Sequence, residues 1–208
     1  MTDYAAPRST EAVGAAAVSR AVTARRGLPA AVWGMLILIA SEGMLFASFI
    51  GTYFYLRFHN HVWPPAGVPK PDLVVPIVML AVLVATSVPM QLASLAVRAG
   101  RLAATRLFLF VALFVQAGYF AFELHDYTDQ LHRFDATTGS YGSIYFTLLG
   151  ADHAHVLLGL LFNVWLLWKL AFGLTTYRAN AVQAVTWYWH AVNLITIAVI
   201  GTLLSARA

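Results

Sequence analysis

Glu42 is the residue whose type and position most clearly suggest chemistry, because it is a lone carboxyl group within the apolar run 30–56. An apolar run of about 20 residues lets a helix cross the hydrocarbon of a bilayer. A charged carboxylate at the centre of such a helix costs roughly 2.5–3.5 kcal/mol on the insertion scale. We therefore expect a partner helix or a cavity to hold Glu42. It is either a protonated acid that hydrogen-bonds a neighbouring helix or a proton-handling or inhibitor-sensitive site.

Two later apolar runs, 141–172 and 182–204, also carry polar side chains deep within them. At a rise of about 1.5 Å per residue, an acid in the run 141–172 and an amide in the run 182–204 lie at a depth similar to that of Glu42. Isolated polar groups are costly in lipid, so we expect these groups to face one another inside a bundle. The expected intramembrane polar cluster comprises Asp152, His155, His190 and Asn193.

The histidines do not show the spacing of a metal site. His153 and His155 lie two residues apart and therefore point to nearly opposite faces of a helix. No predicted span contains two histidines four residues apart. The absence of cysteine excludes disulfides, iron–sulfur clusters and thiolate sites for copper or zinc. We expect neither a catalytic residue nor a set of metal ligands in this chain.

The composition is that of an integral membrane protein, because 60% of the 208 residues are hydrophobic and only 11% are charged. Five apolar runs predict an all-α polytopic membrane protein, with five transmembrane helices within residues 29–208. Pro89 is expected to kink the second helix, and an acidic loop is expected after the third. The predicted spans are 30–56, 73–97, 107–124, 141–172 and 182–204.

Residues 1–28 have a different character. They are rich in Ala, Ser and Thr, carry four Arg, and lack the long apolar region of a signal peptide. This composition predicts a disordered cytoplasmic tail. Lys and Arg are concentrated in the tail and in the second and fourth loops, and membrane proteins keep such residues on the cytoplasmic side. The N-terminus is therefore predicted to be cytoplasmic and the C-terminus to lie outside.

Four segments, taken together and in order, resemble subunit III of the haem–copper oxidases. The family's helix with a membrane-buried Glu is similar to residues 33–46 (Trp-Gly-Met, then Ala-Ser-Glu-x-Met-Leu-Phe). A loop of bacterial members is similar to residues 63–65 (Trp-Pro-Pro), and a later helix to residues 141–159 (Tyr-Gly-Ser, then His-Val-x-x-Gly). The last helix is similar to residues 188–192 (Tyr-Trp-His-x-Val). The resemblance covers residues 27–204.

The resemblance implies the short, five-helix bacterial form of this subunit, a multi-pass protein of the bacterial inner membrane. It implies a non-catalytic role in a proton-pumping oxidase that reduces oxygen to water during aerobic respiration. Such a subunit stabilises catalytic subunit I, holds phospholipid, and supports proton uptake or oxygen access. Haem and copper are expected in partner subunits, with subunit I as the main contact and subunits II and IV as further partners. Glu42 takes the place of the family's carbodiimide-reactive Glu.

Two positions depart from the family pattern. The first His of the family's Gly-x-His-Gly-x-His run is Asp152 here, and the family's last-helix Asp is Asn193. One hypothesis is that a His–Asp contact between these helices has become an Asp–Asn contact, so that the two side chains touch. The alternatives to a cytochrome c oxidase are an accessory subunit of a quinol oxidase or of nitric oxide reductase. A different class is an independent proton-linked transporter that uses Glu42 and Asp152.

Polar and aromatic residues near the predicted span ends are candidates for contact with lipid or partner chains. Trp side chains favour the headgroup region, and Arg pairs with lipid phosphate. A carboxylate at the end of the third span is interpreted either as a hydrated interfacial group or as a contact with a headgroup or partner. These candidates are Trp33, Arg57, Trp63 and Glu123.

Overall fold

The structure is a computed structural model that describes residues 29–137 and 139–207. The predicted tail, 1–28, lies outside the described residues. Five helical spans among the described residues are long and apolar enough to cross a membrane, which confirms the predicted all-α architecture. The second span contains two consecutive helices. The helices are α1 (Ala30–His59), α2 (Val74–Ala85), α3 (Ser87–Arg98), α4 (Leu102–Arg133), α5 (Gly139–Ala171) and α6 (Thr176–Leu204), followed by a 3₁₀ turn at Ser205–Arg207.

The second span is interrupted at Thr86, between α2 and α3. Pro89 explains this position, since it has no N–H to donate to the carbonyl of Ala85 and its ring crowds that carbonyl. Ala85 is accordingly the last residue of α2. The N–H of Thr86 donates to the carbonyl of Leu83 at 3.0 Å, in the tighter 3₁₀ pattern. The interruption thus lies one turn before the proline that causes it.

The interruption places the Thr86 hydroxyl between helices. Its Oγ1 donates to the carbonyl of Leu83 at 2.5 Å. The same oxygen accepts from Nε1 of Trp189, on α6, at 2.8 Å. Both Thr86 and Trp189 are buried, so the break in one span holds the largest side chain of another.

Thr86→Val is expected to destabilise the chain by about 1–3 kcal/mol, because the buried indole N–H loses its acceptor while the side-chain shape is kept. Urea unfolding in detergent, followed by tryptophan fluorescence, measures this change. Thr86→Ser keeps the hydroxyl and is the matched control. Equal stability of the Val and Ser variants would contradict the assigned hydrogen bond.

The third span is longer than predicted, and the expected acidic loop after residue 124 is mostly helix. At 32 residues, α4 has a length of about 48 Å, against about 30 Å of bilayer hydrocarbon. Pairs of side chains four residues apart support its polar end: Gln130 donates to Asp126, and His125 lies 3.7 Å from Asp129. The last turns of α4 therefore extend beyond the hydrocarbon.

The helices differ in how deeply they are buried. Half of the most apolar stretch of α6 is buried, against 11% of that of α1. Helix α6 packs on α2, α3 and α5, and α4 packs on α3 and α5. In contrast, every Cα atom of α1 stays more than 8 Å from those of the other described helices. Bulky side chains bridge this gap, with Phe46 and Tyr53 of α1 fully buried.

The two ends of the bundle differ in charge. We call the end at which α4 and α6 begin the basic side, and the end at which they finish the acidic side. The basic side carries Arg98, Arg101, Arg106, Lys169 and Arg178. The acidic side carries Asp72, Asp126, Asp129 and Asp135, together with Arg57, Lys70 and Arg133.

Candidate functional site

Glu42 of α1 contacts His155 of α5. Oε2 of Glu42 lies 2.8 Å from Nε2 of His155, and the two side chains are 25% and 14% exposed. Nδ1 of His155 lies 2.6 Å from the carbonyl oxygen of Ala151. A carbonyl oxygen only accepts hydrogen bonds, so Nδ1 carries a proton. A hydrogen bond between Nε2 and the carboxyl group then requires a second proton, on either partner.

The contact with His155 explains how the carboxyl group of Glu42 is held within the first span. Whether the second proton lies on His155 or on Glu42, the pair has no net charge. A neutral pair avoids the large cost of an uncompensated charge in lipid. The ring of Phe46 meets that of His155 edge-on at 5.0 Å, and the hydroxyl of Tyr188 donates to the His155 carbonyl at 3.0 Å. The pair is therefore fixed by α1, α5 and α6 together.

Asp152 is buried and accepts a hydrogen bond from Oγ1 of Thr196 at 2.8 Å. Asn193 instead donates to Oγ of Ser87 at 2.5 Å, across the interface with α3. No hydrogen bond joins Asp152 to Asn193 among the described residues. Asp152 and Asn193 thus make two separate hydrogen bonds, and the hydroxyl that bonds Asp152 belongs to Thr196, about one turn further along α6 than Asn193.

The remaining member of the expected polar cluster, His190, is exposed and lies beside the break between α2 and α3. Its Nδ1 lies 3.3 Å from Oγ of Ser87 and its Nε2 lies 3.2 Å from Oε1 of Gln91. The four expected residues therefore divide between different interfaces. His155 faces α1, Asp152 faces α6, and His190 and Asn193 face the interrupted span.

Comparison with known proteins identifies the family. The family model described as cytochrome c oxidase subunit III matches residues 10–202. The chain belongs to this family. It is 30% identical over 177 residues to the "Probable cytochrome c oxidase subunit 3" of Nocardia farcinica. This alignment covers 84% of this chain and 87% of that protein. It is 28% identical over 170 residues to cytochrome c oxidase subunit 3 of Mus musculus. This second alignment covers 78% of this chain and 64% of the mouse protein.

The family expected from the sequence motifs is thereby confirmed. The chain is a subunit III of a terminal oxidase, and hence part of an oxidase complex. Its five long apolar helices are those of a membrane protein. The Glu42–His155 pair lies within the matched residues, and so does the Asp152–Thr196 bond.

Two polar contacts of this subunit III were not expected from the sequence. Nδ2 of Asn163, on α5, donates to Oε1 of Gln116, on α4, at 2.9 Å, and both side chains are fully buried. Nε2 of His153 lies 3.9 Å from Oε2 of Glu123. The signal for the first contact was the presence of uncharged amides inside two apolar runs. The second required knowledge of which faces of α4 and α5 meet.

The candidates for lipid or partner contact lie in different surroundings. Trp33 is exposed. Nη1 of Arg57 donates to Oγ of Ser205 at 2.7 Å. The ring of Trp63 packs at 5.5 Å from that of Tyr53 and at 4.9 Å from that of Tyr141. Trp63 is thus held within an aromatic cluster. Glu123, the remaining candidate, faces His153.

The donor set of the described residues does not suit haem or copper. No group of three or more His, Cys, Asp or Glu side chains among them is arranged to hold a metal ion. The two imidazoles of α5 already have carbonyl partners at Nδ1.

Proposed function

We propose that this subunit III is the non-catalytic subunit that stabilises catalytic subunit I of a proton-pumping oxidase and holds phospholipid beside it. In this proposal the complex reduces oxygen to water in aerobic respiration, and Glu42–His155 fixes α1 against the rest of the subunit. The observation that carries the proposal is the way in which α1 is attached.

Helix α1 is attached through side chains rather than through close packing of helix backbones. Its Cα atoms stay more than 8 Å from those of the other described helices. Glu42 bonds His155 near the middle of the helix, and Arg57 bonds Ser205 near its end, at 2.8 Å and 2.7 Å. Between them, Phe46 and Tyr53 are buried. Such spacing leaves room along the flank of α1 for acyl chains.

A groove supports the lipid part of this proposal. It lies between the first turns of α1 and the facing sides of α5 and α6, and its volume is about 430 Å³. Lys169 lies at the basic side of this groove, with Nζ 5.8 Å from the ring centroid of Trp165. An apolar channel with a cation at its end suits one acyl chain and its phosphate. The lining includes Met35, Leu161, Phe162, Trp165, Ala184 and Val185.

The proposed role also specifies the partner chains of the subunit, the membrane in which it lies and its orientation there. Haem and copper belong to partner chains, with subunit I as the main contact and subunits II and IV as further partners. The subunit lies in the bacterial inner membrane. The excess of Lys and Arg on the basic side supports a cytoplasmic N-terminus and a C-terminus outside.

Purification of the tagged full chain from its own membranes tests the assignment. An oxidase subunit brings haem-bearing chains with it, detected by their visible absorption. A chain that purifies alone and conducts protons in liposomes would instead favour the independent transporter.

Ala184→Phe is expected to remove about one phospholipid per complex, because the added ring fills the groove that Ala184 lines. Native mass spectrometry of the purified complex counts the lipids. Ala198→Phe places the same ring at an exposed position of α6 and is the control. Retention of the full lipid count by Ala184→Phe would contradict a lipid in this groove.

A further inference from the structure

Helix α5 presents two imidazoles in the same way on two different faces. Nδ1 of His153 lies 2.6 Å from the carbonyl oxygen of Leu149, and Nδ1 of His155 lies 2.6 Å from that of Ala151. Both carbonyls belong to the residue four positions earlier, and a carbonyl only accepts. Each Nδ1 therefore carries a proton, and in each neutral ring Nε2 is an acceptor directed at another helix.

His153 directs this acceptor at Glu123 of α4. Nε2 of His153 lies 3.9 Å from Oε2 of Glu123, and the two side chains are 11% and 12% exposed. Nε2 is buried without a hydrogen-bond partner. When the Glu123 carboxyl group is ionised, two acceptors face each other here, and no hydrogen bond can join them until a proton binds. One added proton, on either group, allows a hydrogen bond after an approach of about 1 Å.

A cavity connects Glu123, the carboxyl member of this pair, with the acidic side. Glu123 lines a space of about 220 Å³, which has room for several waters at roughly 30 Å³ each. One face of α4 supplies a polar stripe to its wall, at spacings of three or four residues along the helix. Glu42 and His155 are not among the lining residues of this cavity. The stripe comprises Glu123, Asp126, Gln130 and Arg133.

We propose that Glu123 and His153 hold one proton between them and exchange it with water in this cavity, as a proton-binding site separate from Glu42–His155. The site goes beyond the stabilising role of the subunit and does not depend on it. It would give the subunit a proton-accepting group on its acidic side.

Other ionisable groups surround the pair, and their charges affect how tightly the proton is held. The ring of Tyr127, on α4, lies 5.3 Å from that of His153. Asp152 follows on α5 but bonds Thr196. The cavity wall adds groups from the loop before α2, from α4 and from α5: Lys70, Asp72, Asp126, Arg133, Tyr141 and Tyr145. Tyr119, one turn before Glu123 on α4, is buried.

Infrared difference spectra of the full chain in phosphatidylcholine bilayers, perfused alternately with acidic and alkaline buffer, test the proposal. We expect a carboxyl signal and an imidazole signal that change together, both shifting with D₂O. Glu123→Gln should lose one carboxyl equivalent and change the pH response of the His153 signal, which is the labelled-histidine signal that His153→Gln removes. His153→Gln should displace the pH response of the Glu123 carboxyl.

The chain offers a matched control in the exposed His125–Asp129 pair of the same helix, whose atoms lie 3.7 Å apart and whose side chains are 74% and 52% exposed. Asp129→Asn should lose a carboxylate signal without altering the His153 response. An unaltered His153 signal in Glu123→Gln would overturn the shared proton. A Glu123 signal that does not respond to the perfusing buffer would overturn exchange with the cavity. Since the readout needs no partner chain, failure here leaves the oxidase role untouched.

Discussion

Glu42→Lys is expected to reduce the yield of correctly assembled chain by roughly a hundredfold, whereas Glu42→Gln assembles. The wild-type pair with His155 holds one proton and has no net charge. A glutamine amide can donate to Nε2 of the neutral imidazole and so keeps both the bond and the neutrality. A lysine ammonium also reaches this nitrogen, but it gives the pair of side chains at positions 42 and 155 a net positive charge.

The expected size follows from the cost of an uncompensated charge at the centre of a span. Lysine there costs about 2.5–3.5 kcal/mol on the insertion scale, and each 1.4 kcal/mol corresponds to about tenfold in an equilibrium constant. Size-exclusion chromatography of the detergent-extracted full chain measures the assembled fraction. Glu42→Gln serves as the control for loss of the carboxyl group alone.

A charge exchange sharpens this experiment. His155→Glu in the Glu42→Lys background restores a neutral pair between α1 and α5, and it should recover much of the lost yield. Normal assembly of the single Lys variant would show that position 42 faces water rather than His155. If the double variant recovers no yield although Glu42→Gln assembles, the imidazole has a further role, such as its contact with the Phe46 ring.

The need for a partner of Glu42 could be predicted from the sequence, but the partner could not. The cost of a carboxylate in an apolar run depends on composition and length, which the sequence displays. The contact with His155 depends on the rotation of α5 about its axis and on the approach of α1. His155 was expected in the polar cluster because of its depth, and depth is independent of rotation.

The Asp152–Asn193 hypothesis illustrates the same limit. It correctly placed both residues in buried interfaces of α6. It assumed that a family contact keeps its register when both side chains change. Asp152 instead meets the hydroxyl of Thr196, one turn further along, and Asn193 turns towards Ser87. Membrane depth alone does not distinguish two positions that lie three residues apart on a helix.

The break before α3 could be predicted from local physics, whereas the end of α4 could not. Pro89 predicted a kink, and the interruption one turn earlier follows from the carbonyl that its ring displaces. Hydropathy placed the end of the third span near residue 124, because apolar residues stop there. The helix continues to Arg133 because its backbone bonds and its side-chain pairs do not require lipid.

Gly159→Ala is expected to destabilise the chain by about 1–3 kcal/mol, the usual cost of overpacking a core. At Gly159, an added Cβ would lie 2.6 Å from Cζ3 and 2.7 Å from Cε3 of Trp189. Trp189 is buried, and its indole N–H bonds Thr86. The ring cannot withdraw without breaking that bond.

Gly118→Ala provides the control, because a Cβ on this residue of α4 meets no other atom within 4 Å. Its expected effect is slightly stabilising, since alanine in a helix is favoured over glycine by about 1 kcal/mol. Urea unfolding of both variants in the same detergent therefore separates the clash from the change in helix propensity. Trp189→Phe shortens the ring and should relieve part of the loss when combined with Gly159→Ala. Equal stability of the two alanine variants would show that α5 and α6 can move apart at this point, and that the indole contact does not fix their spacing.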